Sequence, residues 1–451
     1  MSKKKRAHAR ASAPAAEPAL RPDEALGPAW QRHLLWFVAA SVAGAGALYF
    51  NFAERYGDQL HDAAQARSPL LAAGLVAVGM VVICQLRDRV FPGTEGTGIP
   101  QVIAALKIPD GPERDAVLSA RILVGKLLLL TIGLLCGMTI GREGPSVHVG
   151  ACALYLSSRV VPFPGHLRER GLIVAGGAAG IAAAFNAPVA GILFAFEEIG
   201  RSFEKENAGT IVRTALWASM VCAAVLGSYL FYGEIQVTMS TLNEWLAVPV
   251  IGVVGGLLGG AYAQGVLSAS RRLRPVYLRR PATVAAGLGI TLGVLGLLSG
   301  GLTYGSGYRD AMRILAGEDL PVLFAPFLSA GNFVSLLSGI PGGLFDPSLT
   351  TGAALGQISL PLSPFAERQA FLLLCMVAYF TGVVQSPLTA AVILIEMTGS
   401  AHFTLPLLLT AVIAYESSRL VCPTALYEGL AESFLAMIRA RHAGTGTSPS
   451  S

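Results

Sequence analysis

The chain has 451 residues, 53% of them hydrophobic and only 14% charged, with 52 glycines and a formal net charge of +5. A soluble protein of this length carries about a quarter charged residues, so the composition and a mean hydropathy of +0.58 point to lipid. No Asp, Glu, Lys or Arg occurs at 171–196, 245–270, 281–308, 320–345 or 369–395. Each run exceeds the roughly 20 residues that a helix needs to cross a hydrocarbon core, and such a series excludes a soluble fold.

Residues 1–10 are rich in Lys and Arg, and Ala/Pro-rich sequence follows to about 28. This reads as a disordered basic cytoplasmic tail over 1–30, set by the positive-inside rule, rather than as a nucleic-acid-binding arm. Apolar segments then fall near 33–53, 68–86, 115–140, 143–158, 169–183, 187–199, 209–232, 246–270, 281–300, 320–337, 346–358, 367–382, 386–398, 403–421 and 424–440. They predict an all-α membrane domain over 31–440 and a disordered tail over 441–451, with no folded regulatory domain after the last segment. Arg87 and Arg89, the group Arg271, Arg272, Arg274, Arg279 and Arg280, and Arg439 with Arg441 are expected on one face, with both termini cytoplasmic. Many segments are too short to span and are interrupted by Gly or Pro. In a membrane protein that pattern places helix termini inside the bilayer, facing a protein-lined cavity.

Six cysteines are scattered singly, without CxxC or His-paired spacing, so neither a metal site nor a disulfide framework is expected. His148 reads as a packed or capping residue rather than a ligand. No HExxH, nucleophile motif or phosphate-binding loop points to an enzyme, and no cofactor is expected.

An internal repeat organises the chain. Pro145-Ser146-Val147-His148-Val149-Gly150-Ala151 returns as Pro347-Ser348-Leu349-Thr350-Thr351-Gly352-Ala353, from 145 to 347, 202 positions on. Pro188 is followed nine residues later by Glu197, and Pro387 nine residues later by Glu396, 199 positions on. The two repeats cover approximately 70–230 and 246–440, with the transported species expected at their interface.

Three loops carry the chemistry. In Gly141-Arg142-Glu143-Gly144-Pro145, Pro145 predicts a helix start with Gly144 as its cap. Unpaired N–H groups and the helix dipole there make an anion site without a full charge, and Glu143 would compete for it. An intramembrane carboxylate is a functional candidate by default. The matching position in the second repeat is Phe345, so only one half carries the acid. Gly342-Gly343-Leu344-Phe345-Asp346-Pro347 predicts the second helix start. Gly96-Thr97-Gly98-Ile99-Pro100 adds glycines for close backbone approach and a hydroxyl on Thr97.

Read together, these loops resemble the CLC family of chloride channels and proton-coupled chloride exchangers, of the bacterial type without C-terminal CBS domains. That family's loops take the forms GSGIP, GREGP and GGIFAP, with a tyrosine late in the last helix pair, here Tyr427 in Pro423-Thr424-Ala425-Leu426-Tyr427. The stretches from Ala183 to Glu198 and from Ser386 to Thr398 also match. The resemblance implies an inverted-repeat fold of tilted, broken helices and a homodimer with one pore per subunit in an inner cell membrane. It implies chloride held by Thr97, Tyr427 and the N–H groups of Leu344 and Phe345, with Glu143 as the gate. It also implies proton exchange if Glu198, matched in the second repeat by Met397, receives protons on the cytoplasmic side. A passive, voltage-gated chloride channel and an exchanger of fluoride or nitrate are the alternatives.

Two positions depart from the family. Thr97 replaces a serine, adding a methyl beside the anion. Asp346 replaces an alanine. Asp before Pro suits a helix N-cap, which makes a structural role the first expectation. The sharper one is that its charge lowers anion occupancy or that it stays protonated.

Overall fold

A computed structural model describes residues 28–445, apart from 110, 166, 201–204 and 228. The tail expected over 1–30 falls almost wholly outside the described residues, as does 446–451. The first part of the chain forms α1 (Ala29–Arg67), α2 (Pro69–Arg89), α3 (Ile99–Lys107), α4 (Pro112–Asp115), α5 (Ala120–Leu135), α6 (Glu143–Val160), α7 (Leu172–Phe185), α8 (Pro188–Phe194) and α9 (Lys205–Leu226). The remainder forms α10 (Leu242–Arg279), α11 (Pro281–Leu298), α12 (Tyr308–Leu315), α13 (Phe324–Ser338), α14 (Phe345–Ser359), α15 (Arg368–Val384), α16 (Pro387–Thr398), α17 (Thr404–Val421) and α18 (Leu426–Thr445). A π-helical segment, Ala195–Ile199, extends α8.

Seven helical stretches are long and apolar enough to cross a membrane, and α7, α13, α15 and α16 are shorter apolar helices. The fold is all-α; among the described residues the single extended pairing is an isolated antiparallel bridge between Gly141 and Gly343. Helix α18 continues to Thr445, five residues into the segment expected to be tail. Its end, Arg439-Ala440-Arg441-His442-Ala443, contains good helix formers, which an apolar-run criterion does not detect.

The halves repeat in space. Helices α5–α9 correspond to α13–α17, and α7 and α15 end on the two non-glycine residues with positive φ among those described, Asn186 (φ 53°) and Gln385 (φ 60°). These lie 199 positions apart, and each is followed two residues later by the proline that starts the next helix.

The relation is an inversion. Gly141 and Gly343, each four residues before its proline, exchange N–H···O=C bonds of 3.0 and 2.6 Å. Equivalent residues paired antiparallel run the two halves in opposite directions about a local two-fold axis. At a second point Glu197 accepts backbone N–H groups from α16, while Glu396 accepts them from α8.

Without a hydrophobic drive between helices in lipid, small residues let backbones approach closely. Where α6 crosses α7, a Cβ on Gly150 would sit 2.2 Å from the Gly176 carbonyl oxygen, and one on Gly176 would sit 2.3 Å from that of Gly150. No larger residue fits at either position. This crossing fixes the direction in which α6 points its N-terminus.

Candidate functional site

The first loop is held by its carbonyls. Lys126, fully buried in α5, donates from Nζ to the Gly96 carbonyl at 2.6 Å and to that of Glu95 at 3.4 Å. The Gln101 amide also donates to Glu95 O. The Gly96 N–H donates to Gly339 O at 2.9 Å, tying the loop to the end of α13. Gly98, at φ 103°, turns the chain into α3, whose first two residues are Ile99 and Pro100. A left-handed residue there is natural for glycine. Thr97 Oγ1 is buried and has no hydrogen-bond partner among the described residues.

The second loop enters α6 two residues earlier than the proline suggested. Arg142 is the N-cap and Glu143 the first helical residue, so Gly144 is not the cap and Pro145 is the third residue. Proline is tolerated there because first-turn N–H groups have no intrahelical acceptor. Tertiary bonds set the start instead. The buried Arg142 guanidinium pairs with Glu54 of α1, which also accepts from Ser306 Oγ at 2.6 Å. A Cβ on Gly144 would meet Thr97 O at 2.7 Å and Thr97 Cβ at 2.9 Å, so the first two loops abut.

The third loop also differs from expectation. Leu344 is the N-cap of α14, Phe345 the first residue and Asp346 the second, with no side-chain cap. Asp346 is therefore not an N-cap: its carboxyl is fully buried, and neither oxygen has a hydrogen-bond partner among the described residues. The bridge between Gly141 and Gly343 holds the entry to α14 in place of a local side-chain cap. Asn332 supports it, donating to Thr139 O at 3.1 Å.

Glu143 reaches across to the other half. Its Oε1 accepts the Asp346 N–H at 3.4 Å, so its carboxylate lies at the N-terminus of α14 although the residue itself begins α6. A Cβ on Gly343 would lie 2.0 Å from Oε2, and one on Gly141 2.4 Å from it, which places the carboxylate directly over the bridge.

Phe345 turns its ring into an aromatic cluster with Phe380 (4.8 Å between centroids), Phe194 (5.9 Å), Phe185 (6.1 Å) and Tyr427 (6.3 Å). Tyr427, in the first turn of α18, is fully buried, and its hydroxyl has no hydrogen-bond partner among the described residues. It lies within electrostatic reach of both Glu143 and Glu198. The structure thus brings together Thr97, Glu143, Leu344, Phe345, Asp346, Pro347 and Tyr427, from segments more than 300 residues apart in sequence.

Glu198 stands in the π-helical segment after α8, 1% exposed, and accepts from Ser386 Oγ at 2.7 Å. It lines a cavity of about 180 Å³ with Lys107, Arg170, Asn207 and Glu428. A separate cavity of about 450 Å³ reaches Thr97 past Arg87, Arg274 and Tyr277. Helix α18 lies between them, with Glu428 lining the first and Ser433 and Phe434 the second. The basic ends of α2 and α10 therefore share one face, where the Arg87 guanidinium bonds Tyr277.

Lys126 and Glu54 escaped the sequence reading, and Ser386 entered it only as the first residue of a stretch matching the family. A lone lysine in the apolar stretch 115–140 was the available signal for the first. Nothing local marks Glu54. His148 is packed, with Nε2 2.9 Å from the Val117 carbonyl. Among the described residues no three His, Cys, Asp or Glu side chains gather as a metal site.

The sequence profile described as "Voltage gated chloride channel" matches residues 73–419. Three solved structures are similar. A slow cyanobacterial Cl⁻/H⁺ antiporter superposes with a TM-score of 0.78 at 23% identity, covering 91% of this chain and 99% of that one. A CLC-type fluoride/proton antiporter gives 0.76 at 21%, covering 88% and 97%. A eukaryotic CLC transporter gives 0.71 at 21%, covering 89% and 74%. The fold and the three convergent helix-start loops define a membrane protein of ion-transport class, and the chain belongs to the voltage-gated chloride channel (CLC) family.

Proposed function

We propose that this protein is an electrogenic antiporter that exchanges chloride for protons. The observation that carries the reading is the Glu143 carboxylate on the N-terminus of α14, against Gly343. A helix N-terminus attracts an anion through its unpaired N–H groups and partial positive charge, and so holds it weakly enough to release. The ionised carboxylate and a chloride ion are alternative occupants of that position. Protonation removes the carboxylate's charge and with it the attraction, so the neutral side chain leaves and chloride enters. Chloride then lies between the N–H groups of Leu344 and Phe345 and the hydroxyls of Thr97 and Tyr427, whose unpartnered polar atoms support that assignment.

Protons need a second station. Glu198 is buried, bonded to Ser386 and beside a cavity distinct from the one reaching Thr97, which supports separate routes for the two ions on one face. Exchanging an anion for a cation moving the opposite way transfers net charge, so transport would respond to voltage. Two of the similar structures are named as proton-coupled antiporters, one for chloride and one for fluoride. Chloride is the substrate assigned here, in a homodimer with one pore per subunit, in an inner cell membrane with both termini cytoplasmic.

The test is reconstitution into liposomes with simultaneous chloride and proton electrodes. A chloride gradient should drive protons uphill in the wild type. Glu198→Gln and Glu143→Ala should each pass chloride without moving protons. Chloride flux that never moves protons would instead identify a channel, and competition by fluoride or nitrate at lower concentration would reassign the substrate.

A further inference from the structure

Asp346 is buried without a partner one bond network away from Glu143, and no step above uses it. Its carboxyl is 0% exposed, and both oxygens lack a hydrogen-bond partner among the described residues. Oε2 of Glu143 is likewise buried and unpartnered, while Oε1 rests on Asp346's own N–H. That backbone contact, at 3.4 Å, brings the two carboxyls, each with an unpartnered buried oxygen, to the same end of α14.

The surroundings cannot neutralise both acids. The charged and titratable groups facing Asp346 are Glu143 of α6, Arg142 before it, Glu54 of α1, Tyr308 of α12 and Tyr232 in the loop after α9. Arg142 is the cation among them, and it is paired to Glu54. With every acid ionised the cluster would carry two uncompensated negative charges out of contact with water. Two carboxyls sharing such a site retain a proton.

We infer that Asp346 and Glu143 form a proton-sharing pair, in which Asp346 holds a proton while Glu143 is ionised on α14 and delivers it as chloride displaces the carboxylate. The O–H bond of Asp346 breaks as that of Glu143 forms, so the charge passes to Asp346 and is removed by a proton from solution. A cavity of about 270 Å³ lined by Asp58, His61, Asp62, Ser306 and Asp310 reaches Gly307, whose carbonyl accepts Thr350 Oγ1 at 3.1 Å one turn along α14 from Asp346. This cavity and the one lined by Arg87 lie toward opposite ends of α2.

The inference rests on Glu143 being the gate. Its test uses the full chain in liposomes, with chloride and proton electrodes, across a pH series. Asp346→Asn keeps the shape but carries no proton. It should exchange on the order of a hundredfold more slowly at neutral pH, recover as pH falls, and keep the wild-type proton-to-chloride ratio. Glu143→Gln leaves Asp346 as the remaining acid of the pair, so its chloride leak should fall as pH rises; in Glu143→Gln/Asp346→Asn the leak should ignore pH. An Asp346→Asn protein with wild-type rate and pH profile, or a Glu143→Gln leak already indifferent to pH, overturns the proposal. Should Asp346→Asn fail to fold, the Glu143→Gln leak, which retains Asp346, decides alone. A wild type that passes chloride without protons refutes the antiport reading, while the leak comparison still judges Asp346.

Discussion

Glu197 and Glu396 close each other's neighbouring helices. Glu197 accepts the N–H groups of Leu388 and Thr389 at 3.1 and 2.7 Å, and Glu396 accepts those of Val189 and Ala190 at 3.2 and 2.7 Å. Donors and acceptors alike are related by 199 positions, the offset of the repeat itself. The pair shows why acid is retained at this position in both halves: each carboxylate satisfies first-turn N–H groups that the other half cannot pair within its own helix.

Removing either carboxylate should therefore cost similar stability. Glu396→Ala and Glu197→Ala are each expected to lose about 1 to 2 kcal/mol, the range of a lost helix cap. Thermal unfolding of the purified protein in detergent measures it. A marked loss in one variant and none in the other would contradict the symmetric role.

Gly343→Ala tests where Glu143 rests. Gly343 lies outside the left-handed region, so alanine strains no backbone there, but its Cβ would fall 2.0 Å from Glu143 Oε2. The nearest backbone atom, Gly141 C, is 3.1 Å away, so the flexible carboxylate is what moves. The expected outcome is a folded protein whose chloride flux falls less steeply with rising pH than that of the wild type. Flux with the wild-type pH dependence would show that the carboxylate does not depend on this space.

Lys126 holds the loop that carries Thr97. Lys126→Met keeps the apolar stem but leaves the carbonyls of Glu95 and Gly96 without their ammonium donor. A loss of about 1 to 3 kcal/mol is expected, as for a buried acceptor left unsatisfied, together with weaker chloride binding. Unfolding and isothermal titration with chloride check the two parts, and unchanged affinity would separate the loop's anchoring from the anion.

The Arg142–Glu54 pair anchors the second loop to α1. Breaking a buried pair from one side leaves an uncompensated charge, so Glu54→Ala should destabilise by about 3 to 5 kcal/mol. Glu54→Ala/Arg142→Ala should recover part of that loss, and a double-mutant cycle reads the coupling. Strict additivity would mean that the two charges do not interact.

How much of this was legible beforehand depends on the range of the interaction. The charge-free runs, the proline-marked helix starts and the duplicated Pro-to-Glu spacing are local patterns, and they located nearly every apolar helix. Helices carrying charge were less visible: α12 has no apolar run, and α1 continues through Glu54, Arg55, Asp58 and Asp62 to Arg67. The exact caps were displaced for the same reason in both repeats. Arg142 and Leu344 became N-caps because long-range bonds set the entry to each helix, overriding the local preference of Gly144 or Asp346.

By itself the sequence determined that this chain lives in lipid, that it is built twice over, and that its helices break where Gly and Pro cluster, because composition and local backbone preference suffice for each. Only tertiary structure decided that the repeats are inverted and that Glu143 rests on the helix of the opposite half. It also decided that Asp346 faces that acid rather than capping its own turn. Those outcomes depend on hydrogen bonds between groups about 200 residues apart, whose geometry comes from helix packing and leaves no trace in neighbouring residues.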